Sequence, residues 1–147
     1  MNPALLRLAA ALFIWGLGEG TFFFFQPLYL AELGADPFEI GQILSGVGIA
    51  MTIVHIPAGY LADKVGRRPL LRLSWLAGLI STIMMASART LPLFSAALIL
   101  YSLTTFVISP LNSYVTAARG KWTVERALTL ISATFSAGMV SGPLIGG

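Results

Sequence analysis

Long apolar runs separated by short charged clusters set the pattern of this chain. Five stretches, 8–30, 40–61, 69–88, 91–118 and 127–147, are mostly apolar and run to about 20 residues or more. A helix rises about 1.5 Å per residue and bilayer hydrocarbon is about 30 Å thick, so each stretch is long enough to cross. Hydrocarbon offers no partner for a free amide, which leaves helices or a closed barrel as spanning structures. A barrel needs short strands of alternating polarity. The runs 79–86 and 96–100 do not alternate. The pattern predicts an all-α transmembrane bundle of five helices.

The connections are short. Glu32, Asp36 and Glu39 fall in 31–39, with Gly34 and Pro37 as turn residues. Asp63, Lys64, Arg67 and Arg68 fall in 62–68, Arg89 and Thr90 form a minimal turn, and 119–126 carries Arg119, Lys121, Glu125 and Arg126. No linker divides the chain, so 1–147 is expected to be one bundle or one piece of one. A start with Arg7 and an apolar run resembles a signal peptide, but Glu19 interrupts the run and four more apolar segments follow. It is expected to be a retained first span.

Charge placement sets the orientation. With alternate loops on opposite sides, one side holds Arg7, Lys64, Arg67, Arg68, Arg72, Arg119, Lys121 and Arg126, and the other only Arg89. Basic residues mark the cytoplasmic side. The N-terminus is therefore expected in the cytoplasm of a multi-pass protein of the cell (inner) membrane.

Composition agrees: 56% of the 147 residues are hydrophobic and 10% charged, against about 25% charged in soluble domains. The net charge of +3 is thus a topology signal, and no separable basic patch points to nucleic acid. With no cysteine and one histidine, disulfides, thiolate chemistry and a metal cluster are not expected. No cofactor and no catalytic constellation is expected either, which makes a membrane enzyme a poor reading.

Two motifs carry further information. Gly59-Tyr-Leu-Ala-Asp63-Lys-Val-Gly66-Arg67-Arg68-Pro69 follows the second span. Gly59 permits close helix approach, Asp63 is expected to end the span, and Gly66 allows a sharp reversal. Arg67 and Arg68 supply donors at the lipid surface, and Pro69 suits the first turn of a helix. In the fifth span, Gly138-Met-Val-Ser-Gly142-Pro143-Leu-Ile-Gly146-Gly147 places small residues every four positions, a groove for a neighbouring backbone. Pro143 frees the carbonyl of Met139 and invites a kink.

The spacing of Gly59, Asp63, Gly66, Arg67 and Arg68 resembles the loop signature between helices two and three of the major facilitator superfamily. The fifth-span motif is similar to the one common among its drug/proton antiporters, whose longer form has a further glycine where this chain has Thr129. Many of those antiporters also carry an arginine in helix four, and none stands between Thr90 and Ala118 here. Gln26-Pro-Leu-Tyr-Leu30, Leu33-Gly34-Ala35 and Ile40-Gly41 look like the family's passage from helix one to helix two. The resemblance implies about five of the twelve helices of such a transporter, with the C-terminal helices as partners. It implies alternating access about a midplane site, a small-molecule substrate and proton-coupled efflux. In that family the 59–68 loop locks helices on the cytoplasmic side.

Glu19 is the one acidic residue deep in a span, about 17 Å past Leu8 along a helix. Carboxylates at that depth usually face water-filled cavities and handle ions or substrate. As the one carboxyl placed there, Glu19 is the candidate proton carrier. Gln26, seven residues on, is expected on the same face. Ser102, Thr105, Ser109, Asn112 and Thr116 form a polar stripe on span four, either lining a cavity or serving as interhelical glue. Ser109 and Asn112 join Glu19 and Gln26 as candidates for substrate or proton handling. His55 is expected to be a packed or interfacial group. The other class of function is a non-transporting product, a truncated gene or a membrane assembly subunit, in which the Gly138, Gly142 and Gly146 groove has lost its partner helix.

Overall fold

The computed structural model describes residues 3–146, with Gly59, Ala62, Asp63, Arg67, Ser109 and Gly146 described by backbone alone. Eight helices and one 3-10 turn follow in order: α1 (Pro3–Phe23), α2 (Gln26–Glu32), α3 (Pro37–Val65), α4 (Arg67–Ser87) and α5 (Leu91–Leu103). Then come the 3-10 turn Thr104–Val107, α6 (Ile108–Ala118), α7 (Val124–Ser141) and α8 (Pro143–Gly146). Five helical stretches are long and apolar enough to cross a membrane: Pro3–Phe23, Pro37–Ala58, Arg68–Ser87, Leu91–Ala118 and Val124–Ile145. The all-α transmembrane class and the five spans are as the hydrophobic pattern predicts.

Three spans are interrupted, the first and fourth where the pattern expected single helices and the fifth at the kink expected of Pro143. The first breaks at Phe24–Phe25, because Pro27 has no N–H for the carbonyl of Phe23 and its ring crowds that carbonyl. The fourth tightens into the 3-10 turn Thr104–Val107, which holds Phe106, the residue whose carbonyl Pro110 leaves without an N–H partner. The fifth turns at Gly142, one residue before Pro143.

The connections are tighter than expected, since helices extend into the charged segments. The α2 helix ends in a Schellman motif. Gly34 has φ of 95°, its N–H reaches the Ala31 carbonyl at 3.0 Å, and the Ala35 N–H reaches the Leu30 carbonyl at 3.0 Å. Leu30 and Ala35 are both buried, completing the motif's apolar contact. Then Asp36 caps α3. Its Oδ1 accepts from the amides of Phe38 and Glu39 at 2.8 Å, while Glu39 Oε2 accepts from the Asp36 amide at 3.0 Å. This is a capping box with Pro37 in the first helical position, so Pro37 and Glu39 open the helix instead of lying in a loop.

The helix itself runs two residues past Asp63, to Val65. The reversal rests on Gly66 alone, with φ 89° and ψ 157°, a region essentially closed to side-chain-bearing residues. A Cβ there would meet nothing nearer than Pro69 Cδ at 3.9 Å, so the penalty is conformational rather than steric. Gly66→Ala is expected to cost about 1–3 kcal/mol, read as a lower unfolding midpoint in detergent. An unchanged midpoint would show that the loop relaxes.

The chain forms two compact units. One is Leu28–Leu111. Here α4 and α5 pack antiparallel through Leu70, Ser74, Ser81 and Met85 against Phe94, Ala97, Leu98 and Ser102, all buried. Tyr29 ties α2 to this pair, its hydroxyl donating to the Ala88 carbonyl at 3.2 Å and its ring meeting Phe94 edge-on at 4.8 Å. Ser74 Oγ donates to the Thr104 carbonyl at 3.2 Å, at the start of the 3-10 turn. From Pro37 to Pro57 no residue of α3 is buried, and Ile49, Ile53 and Ile56 are exposed. The other unit holds α1, α7 and α8, with α6 from Asn112 onward.

Candidate functional site

Lipid tails are as apolar as leucine, so helices in a membrane associate through close packing rather than through hydrophobic burial. The unit of α1 and α7 shows how. Leu5, Ala9, Leu12, Gly16 and Gly20 form the buried stripe of α1. Ala127, Ile131 and Gly138 form that of α7, with Gly142 buried at its end. The two run parallel: Gly138 lies against Phe13 and Leu17, Gly16 against Phe135 and Met139, and Gly20 against Met139 and Gly142. A Cβ on Gly142 would come within 2.6 Å of the Gly20 backbone, and one on Gly16 or Gly20 would strike the carbonyl of Phe135 or Met139. Trp15 closes one flank against Phe135, ring centroids 5.2 Å apart.

The groove expected on the fifth span is therefore occupied, and its partner is α1, within this chain. The expectation of a lost partner helix is corrected for Gly138 and Gly142. The backbone of Gly146 closes α8, and Gly147 lies outside the described residues. Pro143 cannot donate to the Met139 carbonyl, and that freed acceptor backs onto Gly20. Gly16 and Gly20 were missing from the sequence-based candidates, although Gly16-Leu-Gly-Glu-Gly20 shows the same four-residue spacing.

Glu19 is half-buried on α1, beside the glycine stripe. Counted along the first span it lies sixteen residues after Pro3 and thirteen before Glu32, near the middle. Gln26 is 7% exposed and begins α2. The Phe24–Phe25 turn stands between them, so their seven-residue spacing is not that of one continuous helix. The shared face expected of Glu19 and Gln26 is corrected on that ground.

On span four the hydroxyls of Ser102, Thr104, Thr105 and Thr116 bond within their own helix. Ser102 Oγ donates to Ile99, Thr104 Oγ1 to Tyr101, Thr105 Oγ1 to Ser102 and Thr116 Oγ1 to Asn112, at 2.7–2.8 Å. Ser102 is buried while Asn112 is exposed. The side chain of Ser109 lies outside the described residues. In the 59–68 motif, Gly66 supplies the turn, Arg68 is exposed, and the side chains of Asp63 and Arg67 lie outside the described residues. Lys64 Nζ sits 4.5 Å from the centroid of the Tyr60 ring. His55 is exposed on α3, its Nδ1 on the carbonyl of Met51.

A family model described as Major Facilitator Superfamily matches residues 8–147. An uncharacterized MFS-type transporter of Methanocaldococcus jannaschii is 27% identical over 132 residues, covering 89% of this chain and 34% of the relative. The quinolone resistance protein NorA of Staphylococcus aureus is 22% identical over 148 residues, covering 100% of this chain and 38% of the relative. The chain thus spans a little over a third of the length of these relatives. No solved structure matches it.

Proposed function

Because this chain, a multi-pass membrane protein, belongs to the major facilitator superfamily, we propose that it supplies five N-terminal helices of a secondary transporter that expels a small solute by alternating access, driven by protons. The family's members are transporters rather than enzymes. One observation carries the efflux reading: the parallel α1–α7 pair seats the Gly138-xxx-Gly142-Pro143 segment on Gly16 and Gly20. A similarity to a quinolone resistance protein over the whole chain supports a planar, amphiphilic substrate, and Phe23 and Phe24, 53% and 57% exposed beside buried Gln26, offer apolar surface for one. The remaining helices come from the C-terminal part of the same transporter. Protons act through Glu19, with Gln26, Ser109 and Asn112 as polar contacts for the solute.

The test uses everted membrane vesicles carrying the full transporter. Accumulation of a fluorescent quinolone is expected to start when a proton gradient is imposed and to collapse on adding an uncoupler. Accumulation that ignores the uncoupler would overturn proton coupling, and none for any amphiphile tested would overturn efflux.

Orientation follows from the charges. The N-terminus is proposed to lie in the cytoplasm and the membrane to be the cell's inner membrane. Reporters fused after Asp36 and Arg89 are expected to be active outside, and those after Gly66 and Lys121 inside. The reverse pattern would refute it.

A further inference from the structure

Between α6 and α7 the chain makes a built turn rather than a slack link. Gly120 has φ of 64°, the Trp122 amide reaches the Arg119 carbonyl at 3.3 Å, and an Arg119 guanidinium N–H caps the Thr116 carbonyl at the end of α6. Thr123 then caps α7, its Oγ1 accepting from the Arg126 amide at 3.3 Å. This fixes Trp122 half-buried, with the Arg126 guanidinium 4.7 Å from its ring centroid. Lys121 and Arg126 are both exposed. Three cations thus stand within eight residues, against the single acid Glu125.

We propose that this 119–126 turn is a docking site for the phosphate headgroup of an anionic phospholipid. Three features favour a lipid over a soluble anion. The turn joins two membrane spans, ending one at Ala118 and opening the next at Val124, so its cations sit at headgroup level. Trp side chains settle at that level, apolar body toward the acyl chains. A guanidinium stacked on an aromatic face keeps its in-plane N–H donors free, and those donors match phosphate oxygens. Lys121 adds a point charge beside it. The Glu125 carboxylate, close to the Thr123 hydroxyl and to Arg119, competes for the same cations. Each Lys or Arg at an anionic membrane surface strengthens the attraction to it about fivefold.

The three tryptophans, Trp15, Trp75 and Trp122, allow a direct test. With every other tryptophan of the protein replaced by Phe, Trp15 and Trp75 among them, Trp122 fluorescence is measured in vesicles of phosphatidylcholine and phosphatidylglycerol, with one lipid or the other brominated. Quenching by brominated phosphatidylglycerol is expected to exceed its share of the bilayer at least threefold. Lys121→Gln/Arg126→Gln is expected to bring quenching down to the bulk share, and Glu125→Gln to raise it. High salt is expected to weaken the excess in the unaltered turn, which tests the charge without any change at 119–126. Equal quenching by both lipids, an excess that survives the double substitution, or its removal by inorganic phosphate would overturn the proposal, the last showing a site for free anions.

Discussion

Gly20→Val is expected to part α1 from α7 while Gly18→Val, two residues away, leaves them packed. A Cβ on Gly20 runs into the Met139 carbonyl and the Gly142 backbone, whereas one on Gly18 meets nothing within 4 Å. Both changes add the same bulk and the same β-branched stiffness to the same helix, so their difference isolates the contact. Overpacking costs about 1–3 kcal/mol when side chains can shift. Here the obstacle is backbone, so the loss is expected at or above the top of that range. The chain has no native cysteine, so a pair introduced at Trp15 and Phe135 can be joined by a short thiol crosslinker. Crosslinking should persist with Gly18→Val and fall at least tenfold with Gly20→Val. Equal yields in the two would show that the glycine seam does not hold the helices together.

Glu19→Gln is expected to abolish proton-driven accumulation in the full transporter and to leave passive exchange of substrate intact. The substitution keeps the side chain's size and its capacity for hydrogen bonds while removing the group that binds and releases a proton. Glu19 stands near the middle of the first span, half-buried beside the glycine seam. Vesicles preloaded with labelled solute should exchange it at the normal rate, while uphill uptake falls by tenfold or more. Uphill uptake that survives would assign Glu19 a structural hydrogen bond and move coupling elsewhere in the transporter.

How far the sequence led depends on the scale of the question. Five spans were legible because hydrocarbon thickness imposes a length that composition reveals directly. Their interruptions were not legible from proline alone. Pro57 sits inside unbroken α3, whereas Pro27, Pro110 and Pro143 each accompany a break. The difference lies in the neighbours: Ser102, Thr104 and Thr105 turn their hydroxyls onto carbonyls three residues back ahead of Pro110, and a glycine precedes Pro143. Gly138 and Gly142 were recognised as a groove, but the knob that fills it was missed. Four-residue glycine spacing names one half of a contact, and only the fold pairs it with Gly16 and Gly20. The polar stripe of span four was visible as residue types; that the hydroxyls of Ser102, Thr105 and Thr116 bond inside their own helix depends on rotamers that periodicity does not encode.

That stripe also assumed a uniform helix, and the 3-10 turn at Thr104–Val107 removes the assumption. An α-helix advances about 100° per residue and a 3-10 helix about 120°. Four residues of the tighter form turn everything beyond them by about 80° and lengthen the span by about 2 Å. Span four behaves as two rods with a fixed phase offset. Water-soluble thiol reagents applied to single cysteines along Leu91–Ala118 should trace two separate sinusoids of reactivity, the second starting a fifth of a cycle or so ahead of where the first would have carried it.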